Sequence, residues 1–290
     1  MSVRYDESIP CLRPPKLYMW SREVLFLGTG TARQQRRRST QEKLVLALNG
    51  KLRLRTPRGG VATTRSCVVP AGLWIDRSCV DANDAVVAIY YLAPFAQDYA
   101  AMRSVMKAAL PGIYYDHPNE RALVEAATGV RDRKRTPPAR AREIIREAML
   151  PPGLANRRFR AFDRRAVHVA RRIRETLFDG IALAELAAEV NLSGSRLEKL
   201  FKEQAGLPIT QYRMRYRLFL ASILMALGHS MTDAALGAGF SNSAHLSRSY
   251  RALNGITPSA VFSRRPYIDA VIDDSALALV AGITEGNVAV

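Results

Sequence analysis

The sequence predicts an α+β fold of two unlike parts: a β-barrel or sandwich with flanking helices, then an all-α half carrying two helix-turn-helix units. Three observations predict it. Short apolar runs separated by turn residues fill residues 24–91; beyond Pro94 the apolar spacing becomes helical; and two capped short-helix pairs follow one another between residues 183 and 255.

The chain has 290 residues, 48% hydrophobic and 24% charged, the balance of a folded protein with material for about two domains. Disorder is excluded as the main state. No run of about 18 apolar residues occurs, and the N-terminus lacks a basic-then-apolar segment, so a cytoplasmic protein without a membrane partner is expected. Cys11, Cys67 and Cys79 form no CxxC pair, which argues against a disulfide framework or zinc ribbon. The net charge of +17 calls for a polyanionic partner. Residues 1–159 hold 27 Lys and Arg against 14 Asp and Glu, residues 160–265 hold 16 against 8, and residues 266–290 hold none against 4. Two separate basic regions therefore need explaining.

Taken in order, strands are expected at 24–27, 43–48, 51–55, 67–69, 73–76 and 85–91. Asn49-Gly50 separates two of them as a hairpin turn does, and 51–55 alternates as a strand with one wet face. Helices are expected at 95–110, 118–128 and 139–150, packing on the barrel or pairing two subunits. The resulting division is a barrel over 1–95, a helical packing or dimerisation segment over 96–150, a linker over 151–159, a DNA-binding domain over 160–265 and an acidic tail over 266–290 without strong structural signal.

In the C-terminal half, 183–190 reads as a short amphipathic helix, Asn191-Leu192 as a turn, and Ser193 as the N-cap of a helix that Gly206 ends. A second copy follows, with Thr232 capping a short helix, a turn at Gly239-Phe240, Ser241 capping the next helix, and Asn254-Gly255 ending it. A helix over 208–227 joins the two. Such units can set two recognition helices into successive major grooves, about 34 Å apart.

Residues 160–262, and above all GAGFSNSAHLSRSYRALNGITPSAVF from Gly237 to Phe262, resemble the AraC/XylS transcription regulators, with Ala235 and Phe262 departing from the usual residues. The resemblance implies that Ser195, Arg196, Glu198 and Lys199 in the first recognition helix, and Ser243, His245, Ser247 and Arg248 in the second, face base edges. Their chemistry agrees, since Arg and Lys bond guanine O6/N7 and Glu accepts from cytosine N4. Lys202, Arg213, Arg215 and Arg251 are expected on phosphates, and Leu197, Leu200, Phe201, Leu246 and Tyr250 in the core. A solvated helix face is the bland alternative for each single polar residue.

Gly28-Thr-Gly30 lacks the third glycine of a dinucleotide loop. Gly30, Arg36, Arg38, Glu42 and Gly50, with Pro70-Ala-Gly72-Leu-Trp-Ile75, resemble the two cupin motifs with arginines and Ile75 where metal-binding histidines belong. A divalent metal loses its ligands there, the four histidines show no ligand spacing, and no enzyme activity is expected. Arg33, Arg37, Asp76 and Ser78 resemble the two halves of the PilZ cyclic di-GMP signature, RxxxR and (D/N)xSxxG, with Asp81 in place of the glycine. Arginine forks suit phosphate and guanine O6/N7, and a carboxylate suits guanine N1–H and N2–H. The candidate ligand residues are Thr31, Arg33, Gln34, Arg36, Arg37, Asp76 and Ser78, and on a regular strand Arg36 and Arg38 share the face opposite Arg37. The resemblances together imply an activator responsive to cyclic di-GMP, with promoter DNA and RNA polymerase as partners, a homodimer, and exopolysaccharide or biofilm genes as targets. The rival expectations are an uncharged sugar or aromatic effector, a cupin enzyme with an attached DNA-binding domain, or a purely oligomerising N-terminal half.

Overall fold

The structure is a computed structural model, which describes residues 14–29, 36–56, 59–76, 79–82, 85–110, 112–155, 157–159, 161–177, 180–263 and 268–285. The elements of the first half are β1 (Lys16–Met19), β2 (Val24–Thr29), β3 (Arg37–Arg38), β4 (Lys43–Ala47), β5 (Leu52–Arg55), β6 (Val61–Thr64), β7 (Ser66–Val69), β8 (Trp74–Ile75), β9 (Val80–Asp81), β10 (Val86–Tyr91), α1 (Asp98–Arg103), β11 (Lys107–Ala108), β12 (Tyr114–Tyr115), α2 (Glu120–Asp132), α3 (Pro138–Met149) and α4 (Pro152–Ala155). The second half comprises α5 (Arg164–Glu175), α6 (Leu183–Glu189), α7 (Gly194–Ala205), α8 (Ile209–Ala226), α9 (Met231–Gly237), α10 (Ser243–Asn254), α11 (Pro258–Phe262), β13 (Asp269–Ile272), α12 (Asp274–Leu277) and α13 (Ala281–Glu285).

All five residues of β4 are buried, so both faces of its sheet are covered. That sheet has eight strands in the order β11-β12-β7-β4-β10-β2-β1-β13. One face, with Leu44, Leu46, Leu25, Leu27 and Tyr90, packs on α1, α2 and α3. The other face divides. Val45, Ala47, Val69 and Val87 meet Leu52, Leu54 and Ile75 from the small sheets β6-β5-β9 and β3-β8, while Leu17 and Met19 of β1 join the core of the second helix-turn-helix unit.

Several expectations change. β5 alternates buried and exposed as expected, but it pairs with β6 and β9, and β4 pairs with β10 and β7. Asn49-Gly50 is thus a corner between two sheets and no hairpin; Asn49 Oδ1 accepts from the backbone N–H of Val86 at 2.6 Å and Gly50 takes φ +65°. The helix expected over 95–110 is only α1, because the chain after it enters β11 and β12 at the sheet edge. The presumed linker holds the short α4, and the acidic tail is structured: β13 pairs in parallel with β1, and Ala276 and Val280 are buried against the second helix-turn-helix unit.

Glu23, 1% exposed, receives hydrogen bonds from Arg142 and Arg146 of α3, and Arg146 also donates to Asp98 of α1 at 2.7 Å. These charges fasten the helices to the sheet. Glu23→Ala leaves Arg142 without its acceptor and Arg146 with Asp98 alone, and is expected to lower stability by about 2 kcal/mol, read from urea unfolding. Glu125→Ala, which removes a fully solvated pair with Arg121, is expected to leave the midpoint unchanged.

Candidate nucleic-acid interface and interdomain cavity

The first helix-turn-helix is α6 and α7, joined through Asn191 at φ +53°. Ser193 caps α7, its hydroxyl accepting from the Arg196 N–H, and Gly206 ends it in the left-handed conformation at φ +75°. Leu197 and Phe201 are fully buried, which turns Ser195, Arg196, Lys199 and Lys202 outward, with Glu198 and Leu200 half-buried. The second unit is α9 and α10. Its caps differ from those expected: Ser230 and not Thr232 caps α9, and Asn242 and not Ser241 caps α10, Asn242 Oδ1 accepting from the His245 N–H at 2.8 Å. Ser241 instead meets His245 Nδ1 at 3.1 Å, and the His245 ring packs edge-on against Phe240, so this histidine also serves the turn. Leu246 and Tyr250 are buried; Arg248 and Arg251 are exposed, and Ser243 and Ser247 half-buried.

α8 is the shared spine. Tyr212 belongs to the core of the first unit, whereas Tyr216, Leu220 and Leu224 belong to that of the second. This overturns one assignment: Arg215 points into the molecule, its guanidinium 5.1 Å from the Tyr212 ring centre, and burial lowers its pKa. Arg213 donates to the Ile181 carbonyl at 2.6 Å, so it fixes the entry to α6.

Of the residues expected to hold cyclic di-GMP, Thr31, Arg33, Gln34 and Ser78 lie outside the described residues. The others meet on one ribbon. β3 and β8 are antiparallel, with Arg37 opposite Ile75 and Arg38 opposite Trp74, which sets Asp76 beside the arginine run. Arg36 and Arg38 both stand over Trp74, at 5.5 and 5.6 Å from its ring centre, while Arg37 turns the other way. The ribbon touches both helix-turn-helix units at the glycine that ends the second helix of each. A side chain on Gly72 would collide with the Gly206 carbonyl oxygen, and one on Gly255 would lie 2.7 Å from Arg37 Nη1. Two hydrogen bonds brace the ribbon, Ser39 N–H to Leu73 O at 2.7 Å and Gly72 N–H to Ser39 O at 2.6 Å.

Behind the ribbon, between the large sheet and α8, α10 and α11, lies a cavity of about 220 Å³. Its wall is mainly apolar, with Phe26, Ile89 and Phe219, and its polar groups include Arg37, Lys43, Asp76 and Arg215. Lys43 is the residue the sequence reading missed. A lysine at a strand start reads as solvated, but here α8 and α10 cover that face. Burial, then the neighbouring Arg37 charge, pushes the Lys43 pKa down to about 7, and its ammonium stands 5.7 Å from the Tyr91 ring centre.

Comparison with known proteins agrees with this architecture. Residues 186–264 match the helix-turn-helix domain family. The probable transcriptional regulator LumQ of Photobacterium leiognathi is 35% identical over 88 residues, 30% of this chain and 36% of that protein. The chain thus spans about a third of the length of that relative. An apo ToxT point variant from Vibrio cholerae superposes with a TM-score of 0.53 at 12% identity, covering 82% of this chain and 96% of that one. ToxT bound to (E)-4-(8-methylnaphthalen-1-yl)but-3-enoic acid gives 0.50 at 13% identity, covering 85% and 96%. The two-domain fold is shared with these structures.

Because Lys43 loses its proton in the folded state near pH 7 but near 10.5 when unfolded, it costs stability below about pH 7 and progressively less toward pH 10. Lys43→Met is therefore expected to raise the melting temperature at pH 7, with the gain shrinking as pH rises to 10. Scanning fluorimetry across that range checks the sign.

Proposed function

We propose that the protein is a transcription regulator of the AraC/XylS type that binds promoter DNA through α7 and α10 and responds to a small molecule held by its β domain. The observation that carries the reading is the pair of capped recognition helices, each turning arginines or lysines to solvent with no carboxylate in ion-pair distance among the described residues. Bases are read by Arg196, Lys199 and Arg248, supported by Ser195, Glu198, Ser243, His245 and Ser247; Lys202 and Arg251 neutralise phosphates.

For the effector, cyclic di-GMP is the first reading, supported by the β3–β8 register, which brings Arg36, Arg37 and Asp76 to one edge although some forty residues separate the two motif halves. It sits on the open rim, since about 220 Å³ inside is too small for two guanines and two phosphates. The resemblance extends this reading to activation through RNA polymerase, a homodimer, and control of exopolysaccharide genes. A small apolar carboxylic acid inside the cavity is the second reading, favoured by Lys43 and Arg215 on an apolar wall and by the acid that ToxT binds in the same overall fold.

Calorimetric titration separates the two. Cyclic di-GMP is expected to bind at micromolar strength, to be lost in Arg37→Ala and kept in Lys43→Met; binding of an arylbutenoic acid that Lys43→Met removes, with no heat from cyclic di-GMP, establishes the second. For DNA, Lys202→Ala is expected to weaken all duplexes alike and reduce the salt slope by about 1, whereas Arg196→Ala costs about 1–3 kcal/mol and relaxes preference at one base pair. Anisotropy with a selected duplex at several salt concentrations measures both.

A further inference from the structure

Where the ribbon meets α10, four arginines face one open cleft of about 280 Å³: Arg36 and Arg37 from the β domain, Arg248 and Arg251 from the recognition helix. Among the described residues no carboxylate lies within ion-pair distance of any of them. Arg37 Nη1 is moreover buried against Gly255 without a hydrogen-bond acceptor. A buried guanidinium donor without an acceptor costs free energy, and four like charges around one space repel. The end of α10 supplies only about half a negative charge through its dipole.

An anion of high charge density cancels that repulsion and gives Arg37 Nη1 its acceptor. We propose that this cleft binds a phosphate-bearing ligand held jointly by the β domain and the second recognition helix, and that this ligand and DNA compete for Arg248 and Arg251. The proposal rests on the reading of α10 as a DNA-recognition helix. A duplex is too wide to enter a cleft of this size, whereas a phosphate or phosphodiester group fits, and guanidinium forks bind it bidentately. Coupling follows by reciprocity: whatever factor the ligand removes from DNA affinity, DNA removes from ligand affinity.

The test uses the full chain, with inorganic pyrophosphate and cyclic di-GMP as probes. Calorimetry without DNA reads the cleft alone; anisotropy with a labelled duplex and no anion reads α10 alone, so failure of the DNA reading is seen separately. Pyrophosphate binding is expected to weaken at least tenfold in the pair Arg36→Ala/Arg37→Ala and equally in Arg248→Ala/Arg251→Ala, and to survive in Arg248→Lys/Arg251→Lys, which keeps the charge. Saturating anion at constant ionic strength is expected to lower duplex affinity at least tenfold in the wild type and not in Arg36→Ala/Arg37→Ala. Tighter binding of cyclic di-GMP than of pyrophosphate, with the same dependence on all four arginines, supports the proposal, identifies a nucleotide as the source of the phosphate, and makes it a signal for release from DNA in place of the activation that the resemblance implies. Anion binding indifferent to the α10 arginines, no anion binding, or anion and duplex binding independently overturns it. So does a loss of duplex affinity in Arg36→Ala/Arg37→Ala without any effect of anion, which makes these arginines DNA contacts.

Discussion

The contact on which the two halves depend is that of the β3–β8 ribbon with the two glycines that end the recognition helices. Gly206 and Gly255 adopt positive φ because a helix must stop there, and that same absence of a side chain lets the ribbon backbone and Arg37 approach. One short element of the β domain therefore bears on both DNA-binding units. Because α8 belongs to the cores of both units, a shift of the ribbon against one helix end is resisted by the other. Under the proposed function, a ligand on the ribbon would bias the two units together.

Charge follows the same geography. Several carboxylates serve structure: Glu23 and Asp98 hold α3, and Glu189 binds Arg172 and His168 within the first unit. Among the described residues, cations outside any ion pair stand on the outer faces of α7 and α10, in the cleft beside Gly255, and inside the cavity at Lys43. Burial makes these sites different in kind. The exposed arginines cost little in the free protein and, under the proposed function, would gain by releasing counterions on DNA, whereas Lys43 is destabilised until it loses its proton or meets an anion.

Much of this was legible in the chain. Ser193, Gly206 and Gly255 announced the recognition helices because capping is a local matter of one hydroxyl and one positive φ. The second N-cap slipped by one residue because Ser241 and Asn242 both cap well, and the choice went to the side chain that reaches the His245 N–H. Leu197, Phe201, Leu246 and Tyr250 declared their core role by spacing. The two-residue strands β3, β8, β11 and β12 carry no periodicity at all, and β13 owes its existence to β1, more than 240 residues away in sequence. Lys43 was missed and Arg215 misplaced for one reason: their surroundings are set by how the two halves dock, which no local pattern records. The alternation of Arg36, Arg37 and Arg38 did anticipate which side each faces, because parity survives even in a strand of two residues.

The parallel pairing of β13 with β1 has an effect on synthesis. The first domain's sheet lacks its outermost strand until the whole DNA-binding half has been made. Until then β1 presents open backbone donors and acceptors at an edge whose side chains, Leu17 and Met19, are apolar, the kind of edge that recruits strands from other chains. The β domain produced alone carries that exposed edge permanently. The segment that covers it also presses Ala276 and Val280 onto the second helix-turn-helix unit, so one stretch of chain closes the sheet and joins the two halves.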